Sequence, residues 1–179
     1  MPTADDALAS LKKAEAGSLL SASAATNIRR WLTEPPFARY RARLIEDIAA
    51  EKWQVLDDAF YAILEFGTGG RRGKRYPVGT NVLNDRTIAE SARGLADYIN
   101  ASKGTGAPRS CVIARDTRHQ SPEFASLCAR VLAAAGFKVY LFAEPRSTPL
   151  LSFAVRYLKC DAGIMITACL LYTSDAADE

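Results

Sequence analysis

The sequence predicts an α/β sandwich with a mixed sheet and crossover helices, preceded by a helical N-terminal extension. From Ser110 onward, short apolar runs alternate with amphipathic stretches, as in strands joined by crossover helices. Before residue 65 the apolar residues recur only at helical spacing. A hydrophobic content of 49% and a charged content of 24% in 179 residues are globular values. They exclude wholesale disorder, a collagen-like repeat and a coiled-coil rod.

The helical extension is predicted over residues 1–64. It starts with a weak helix over 5–20, and Asn27 is predicted to be the N-cap of a short helix that ends at the prolines 35–36. Over 38–64, large apolar residues recur at helical spacing between charged residues, which indicates one or two amphipathic helices.

A further helix is predicted to be capped by Asp85 or Thr87. Beyond it, the apolar runs at 111–114, 137–142 and 162–167 are predicted strands. Two helices separate them, one over 121–136 with Ser121 as its N-cap and one over 150–158. Right-handed crossovers bring the carboxyl ends of such strands to one edge, where open α/β sheets bind ligands.

Cysteine spacing and charge limit the partners. The four cysteines form no C-x-x-C pair, and no group of His, Cys, Asp or Glu has the spacing of metal ligands. A chain of this size has its own core and does not need disulfides, so we interpret the cysteines as reduced thiols in a cytoplasmic protein. No apolar run reaches the roughly 18 residues of a membrane span. A formal charge of +3 is too small to indicate a nucleic-acid partner.

A glycine- and arginine-rich loop at 67–75 is the first candidate binding segment. It matches neither G-x-x-x-x-G-K-[ST] nor G-x-G-x-x-G, since Thr68 and Arg72 stand where glycines would be needed. Glycine backbone and guanidinium groups can still surround a phosphate, although a solvated basic turn is the simpler alternative. A second charged loop, 115–119, follows the first strand, and the two are predicted to converge on one crevice. His119 is the single histidine. We interpret it as a hydrogen-bonding residue at the start of a helix in preference to a catalytic residue.

Five segments in order resemble the α-D-phosphohexomutases, in the phosphoglucomutase/phosphomannomutase branch. They are F-G-T-G-G-R-R-G at 66–73, G-T-N-V-L-N-D-R-T-I at 79–88, A-R-D-T-R-H-Q-S at 114–121, P-R-S-T-P at 145–149 and G-I-M-I-T-A at 163–168. The resemblance covers residues 27–168 and implies that 65–168 is the first of four domains.

The resemblance also implies an activity and its residues. Members interconvert hexose 1-phosphates and 6-phosphates of glucose or mannose through a phosphoserine and a hexose 1,6-bisphosphate. Mg²⁺ is held by the phosphoserine and a loop of the second domain, so this fragment alone is expected to bind none. Arg72 is carried over as the catalytic arginine that faces the transferring phosphoryl group. Thr68 and Gly69 join it in phosphate binding, while Asp116, Arg118 and Thr167 support the phosphoserine loop.

One departure from the family pattern is decisive for activity. After Thr167 and Ala168 the family has S-H-N-P, whose serine carries the phosphate, but Cys169 occupies that position here. Residues 169–179 resemble the conceptual translation of a sequencing adapter, and we interpret them as a non-native tail. The fragment is therefore expected to be inactive.

A stand-alone phosphosugar-binding or anion-binding module is the alternative function. A nucleic-acid binder ranks below it, because no aromatic residues are interleaved with the basic ones at 71–75.

Overall fold

The computed structural model describes residues 2–67, 69–104 and 106–167. The described chain divides into two compact units, one that ends at Asn84 and one that begins at Asp85. This division falls later than the domain boundary after residue 64 that the sequence predicts. The predicted α/β class is confirmed.

The first unit is helical up to Phe60. Its helices are α1 (Ala4–Ala16), α2 (Ala22–Thr33), a 3₁₀ helix (Pro35–Tyr40), α3 (Arg41–Ala49) and α4 (Trp53–Phe60). Thr3 starts α1 with a capping box, in which its hydroxyl accepts from the Asp6 N–H while the Asp6 carboxylate accepts from the Thr3 N–H. Ser21 caps α2 by accepting from the Ala24 N–H.

Two predictions for this unit are wrong. Asn27 lies in the middle of α2 and is no N-cap; its Nδ2 donates to the Phe60 carbonyl at 2.8 Å. The one or two helices predicted over 38–64 are two, α3 and α4, but they end at Phe60 and not at residue 64. The Leu64 N–H donates to the Thr80 carbonyl at 2.8 Å instead of continuing the helical pattern.

The core of the first unit is built around Trp31. Its ring stacks on Phe37 with centroids 4.8 Å apart and meets the Phe60 ring edge-on at 5.2 Å. Val78 and Val82, which follow the glycine- and arginine-rich loop, are buried in the same core. The loop therefore leaves this helical core and returns to it.

The second unit consists of α5 (Asp85–Lys103), β1 (Ser110–Arg115), α6 (Ser121–Ala134), β2 (Lys138–Leu141), α7 (Thr148–Tyr157) and β3 (Ala162–Ile166). The strand order is β2-β1-β3, and both pairings are parallel. The described strands thus include no antiparallel member of the predicted mixed sheet.

Side chains of β1 alternate between two apolar layers. Cys111 and Ile113 pack with α5 and α6, whereas Val112 and Ala114 pack with α7. Because alternate side chains of β1 are apolar on both faces of the sheet, helices cover both faces. The result is an α/β/α arrangement in which β1 is the central strand.

The predicted helix starts of this unit need correction. Ser121 is the first residue of α6, and Gln120 occupies the capping position with φ +67°. Helix α5 begins at Asp85, so Asp85 and Thr87 both lie inside its first turn, where Asp85 complements the helix dipole. The end of α6 before Gly136, with φ +87°, is as predicted. Among the described residues, no helix is both long and apolar enough to cross a membrane.

Candidate functional site

The loop that carries Arg72 begins with a tight glycine turn. The Gly67 N–H donates to the Gly70 carbonyl at 2.9 Å, and the Gly69 N–H donates to the Gly67 carbonyl at 2.7 Å. Gly69 has φ +79°, a conformation that glycine adopts without steric cost. Thr68, a predicted phosphate-binding residue, lies outside the described residues. Its role stays a prediction.

Arg72 borders a cavity of about 550 Å³. Polar and glycine residues share the lining with it: Tyr61, Glu65, Gly67, Gly70 and Asn81. Within the described part of the chain, no hydrogen bond or ion pair engages the exposed Arg72 guanidinium. By contrast, Lys74 Nζ lies 3.4 Å from the carboxylate of Asp58. Arg72 can therefore present its planar, bidentate donors to an anion in the cavity.

Asn81, which lines the same cavity, is held against the carboxyl end of α4. The N–H groups of Thr80 and Asn81 both donate to the Ala59 carbonyl at 2.9 Å, and Asn81 Nδ2 donates to the Asp58 carbonyl at 3.2 Å. These donors satisfy carbonyls that the end of a helix leaves without an internal partner. Gly79 makes the approach possible, since a Cβ at that position would lie 2.6 Å from the Ala59 oxygen.

The second predicted segment follows β1 and is organised by Asp116. Its Oδ1 accepts from the Arg118 N–H at 3.0 Å and from the Ser121 hydroxyl at 2.6 Å, while Oδ2 lies 3.3 Å from Arg118 Nε. The Asp116 N–H donates to the Ile166 carbonyl at 3.0 Å. Because Thr167 directly follows Ile166, Asp116 and Thr167 come to the same edge of the parallel sheet.

The structure thus brings Asp116, Arg118 and Thr167 together in the second unit, and it places Gly69 and Arg72 in the first. Each unit is described by itself, so the convergence of the two arginine-bearing loops stays a prediction from the sequence. His119 is exposed at the entry to α6. Cys169 and the rest of 168–179 lie outside the described residues.

Two buried cysteines, Cys111 and Cys128, are poor nucleophiles. Burial raises the pKa of Cys111 to about 12 and that of Cys128 to about 11, so both stay protonated at neutral pH. Across residues 2–67, 69–104 and 106–167, no group of three or more His, Cys, Asp or Glu side chains could hold a metal ion.

Sequence reasoning assigned no role to Tyr61, Glu65 or Asn81, which line the cavity beside Arg72. Asn81 lies in a segment that the resemblance already singled out, but nothing local signals that its side chain reaches the end of α4. Tyr61 and Glu65 fall at the end of the predicted helix, and they reach the cavity only because α4 stops at Phe60.

A parallel sheet between two helical layers, with a charged loop after its central strand, makes the second unit an α/β/α domain. The chain belongs to the phosphoglucomutase/phosphomannomutase family, because residues 64–169 match the model of that family's alpha/beta/alpha domain I.

Relatives of the chain carry the same family name. It is 51% identical over 105 residues to a phosphoglucomutase of Staphylococcus epidermidis, a match that covers 59% of this chain and 18% of the relative. Against a phosphoglucomutase of Staphylococcus aureus it is 50% identical over 111 residues, covering 62% and 19%. The chain spans about a fifth of the length of the curated relatives it matches. No solved structure matches it.

Proposed function

We propose that this chain is the N-terminal fragment of a phosphohexomutase that interconverts hexose 1-phosphate and hexose 6-phosphate through a phosphoserine enzyme. The observation that carries the proposal is the Arg72 cavity inside the segment that matches the family. In this proposal 1–64 form a helical extension, 65–168 form domain I up to the catalytic loop, and 169–179 are a non-native tail.

The reaction accounts for an arginine at the border of the cavity that has no hydrogen-bond or ion-pair partner among the described residues. A phosphoryl group passes from the serine to a hydroxyl of the hexose monophosphate, which gives a hexose 1,6-bisphosphate. The other phosphoryl group then returns to the serine. Arg72 would neutralise the phosphoryl oxygens as charge redistributes over them, and Thr68 and Gly69 would shape the loop that binds the phosphate. Positioning of this kind supplies most of the catalysis in phosphoryl transfer.

Asp116, Arg118 and Thr167 would support the loop that bears the serine. The hydrogen bonds from Arg118 and Ser121 to Asp116 favour this role, because they hold the Asp116 carboxylate at the edge of the sheet where Thr167 follows the last residue of β3. Cys169 occupies the position of the serine, and the family's following histidine and asparagine are absent. The fragment itself is therefore expected to be inactive.

Magnesium belongs to this proposal only through the complete enzyme. When bound, the ion would help to neutralise the transferring phosphoryl group. The resemblance assigns the ion to the phosphoserine and to a loop of the second domain, so this chain's own residues act without it in the steps above.

The partners that we propose are glucose or mannose 1-phosphate and 6-phosphate and the hexose 1,6-bisphosphate, with neither nucleic acid nor membrane. We place the enzyme in the cytoplasm, since Cys111, Cys128 and Cys160 are free thiols. The second candidate function is a phosphosugar-binding or anion-binding module without catalysis. The absence of a described internal partner for Arg72 favours it too, since anion binding needs the guanidinium but no nucleophile.

Two measurements test these functions. The complete gene product should convert glucose 1-phosphate to glucose 6-phosphate, and a complete product without activity on any hexose or pentose phosphate would refute the mutase. The fragment should show no turnover. Saturable binding of glucose 1,6-bisphosphate by the fragment, together with an inactive complete product, would favour the binding module.

A further inference from the structure

A buried carboxylate in the helical extension contacts the loop that bears Arg72. Asp47 on α3 is 1% exposed, and its Oδ2 accepts a hydrogen bond from the Tyr76 hydroxyl at 2.9 Å. Tyr76 follows Arg72 by four residues. An ionised side chain is rarely found in a protein core unless its oxygens are all engaged, because burial in a low-dielectric interior opposes the charge.

The charge of Asp47 is balanced without Tyr76. Arg43 Nε donates to Oδ2 at 3.0 Å and Lys52 Nζ donates to Oδ1 at 2.9 Å. Burial would raise the pKa of Asp47, but the hydrogen bonds from Lys52, Arg43 and Tyr76 outweigh it and hold the pKa below its ordinary value. Two cations therefore already stabilise the carboxylate. The Tyr76 hydroxyl adds a third donor, which is neutral and belongs to a residue of the loop that follows Arg72.

Tyr76 also fixes the backbone on the carboxyl side of Arg72. Its N–H lies 3.4 Å from the Leu83 carbonyl, and the Leu83 N–H donates to the Lys74 carbonyl at 2.8 Å. The two strands of this short ladder meet at a bridge between Arg75 and Leu83. The Tyr76 ring packs against the helical core and lies under Arg43, whose guanidinium carbon is 5.8 Å from the ring centroid.

We infer that Asp47 is a positioning residue for Arg72, and that it acts through the Tyr76 hydroxyl to hold the 72–76 segment in one conformation. The inference rests on the proposed function, because it assigns the helical extension a part in anion binding at the same cavity. A guanidinium held in place loses less conformational freedom on binding a phosphate than one on a mobile loop. The extension would thus raise affinity without touching the ligand.

The test compares Tyr76→Phe with wild-type chain. This variant keeps the ring and its packing and removes only the hydroxyl, while Arg43 and Lys52 still neutralise Asp47. Amide hydrogen exchange of Tyr76 and Leu83 should become roughly tenfold faster, the order expected for the loss of a hydrogen bond to a charged group. Exchange in α1 should stay as in wild type. The Kd for glucose 1,6-bisphosphate, measured by calorimetry, should rise roughly tenfold, and Asp47→Asn should change both readouts in the same direction.

Matched controls separate positioning from general destabilisation. Tyr98→Phe removes the hydroxyl of an exposed tyrosine on α5. Asp57→Asn removes a carboxylate that accepts from the N–H and hydroxyl of Ser21, at the start of α2. Neither should change exchange at Tyr76 and Leu83, even where Asp57→Asn lowers the melting temperature.

Unchanged exchange at Tyr76 and Leu83 in Tyr76→Phe would overturn the inference, and so would an equal acceleration in Asp57→Asn. If Asp47→Asn does not fold, Tyr76→Phe decides alone. If wild-type chain binds neither glucose 1,6-bisphosphate nor inorganic phosphate, the proposed function fails at this site. The exchange data then still decide whether Asp47 and Tyr76 hold the loop.

Discussion

The Ser121 hydroxyl donates to Asp116 Oδ1 at 2.6 Å, which ties the first residue of α6 to the residue that follows β1. The same oxygen accepts from the Arg118 N–H, so one carboxylate closes the whole turn between strand and helix. Ser121 is fully buried, and its hydroxyl is engaged by this contact. The turn from the central strand is thus shaped by Asp116 more than by a helix cap at Ser121.

Replacing Asp116 with Ala should lower the free energy of unfolding by about 1–3 kcal/mol, because it leaves the buried Ser121 hydroxyl without its acceptor. Urea denaturation measures the change. Ser126→Ala is the matched control, since Ser126 is exposed on the same helix and its replacement should change stability by less than about 0.5 kcal/mol. Equal effects of the two variants would contradict the role of Asp116 in this turn.

Arg72→Lys should weaken the binding of glucose 1,6-bisphosphate about tenfold, and Arg72→Ala should weaken it further. Lysine keeps the positive charge but loses the planar pair of donors that can engage two phosphate oxygens. Calorimetric titration measures both. Arg93→Ala is the control, because Arg93 is an exposed arginine on α5 that pairs with Asp97. Binding by Arg72→Ala that equals wild type would rule out Arg72 as the anion ligand.

Gly79→Ala should lower the free energy of unfolding of the first unit by at least about 1 kcal/mol. Its φ of +135° strains any side chain, and the new Cβ would lie 2.6 Å from the Ala59 oxygen, which is backbone and cannot move aside. Gly94→Ala is the opposite case: no atom lies within 4 Å of a Cβ there, and Gly94 is inside α5. That variant should stabilise the chain by about 0.5–1 kcal/mol. Thermal unfolding of the two variants should therefore shift in opposite directions.

The α/β part of the fold could be predicted because its signals are local. The apolar run at 111–114 is too short for a helix, and Pro122 and Gly136 mark the two ends of α6. Local signals also pointed to the charged loops at 67–75 and 115–119, whereas the roles of Arg72, Asp116 and Arg118 within them came from the family resemblance.

The errors came from contacts between residues far apart in the chain. Asn27 has the side chain of an N-cap, but that side chain reaches the Phe60 carbonyl from inside α2. Leu64 continues the apolar spacing of a helix, yet its N–H pairs with Thr80. The contact between Asp47 and Tyr76 has the same origin: each residue is unremarkable in its own segment, and only packing in the first unit brings them together. Local pattern predicts elements, whereas these pairings depend on tertiary structure.

Acid should weaken the second unit through Asp161. Its carboxylate pairs with Lys103 and accepts from the Ser110 N–H at 2.8 Å, so it joins the end of α5 and the start of β1 to the entry of β3. The hydrogen bond from Lys103 holds the pKa of Asp161 below its ordinary value. Burial opposes this with a smaller effect, and the Ser110 N–H lowers the pKa further. A lowered folded-state pKa contributes stability that is present above the unfolded value of about 3.9 and is lost as pH falls through the folded value. Lys103→Met keeps the carboxylate but removes the main cause of the lowered pKa, so this variant should lose less stability on acidification than wild type, as Asp161→Asn should. Asp161→Asn should lose less stability than wild type as the pH falls from about 6 to about 3, a range that includes the ordinary pKa of an aspartate. Urea denaturation at each pH measures this loss. An acid limb of Lys103→Met that coincides with that of wild type would show that Lys103 does not set the pKa of Asp161.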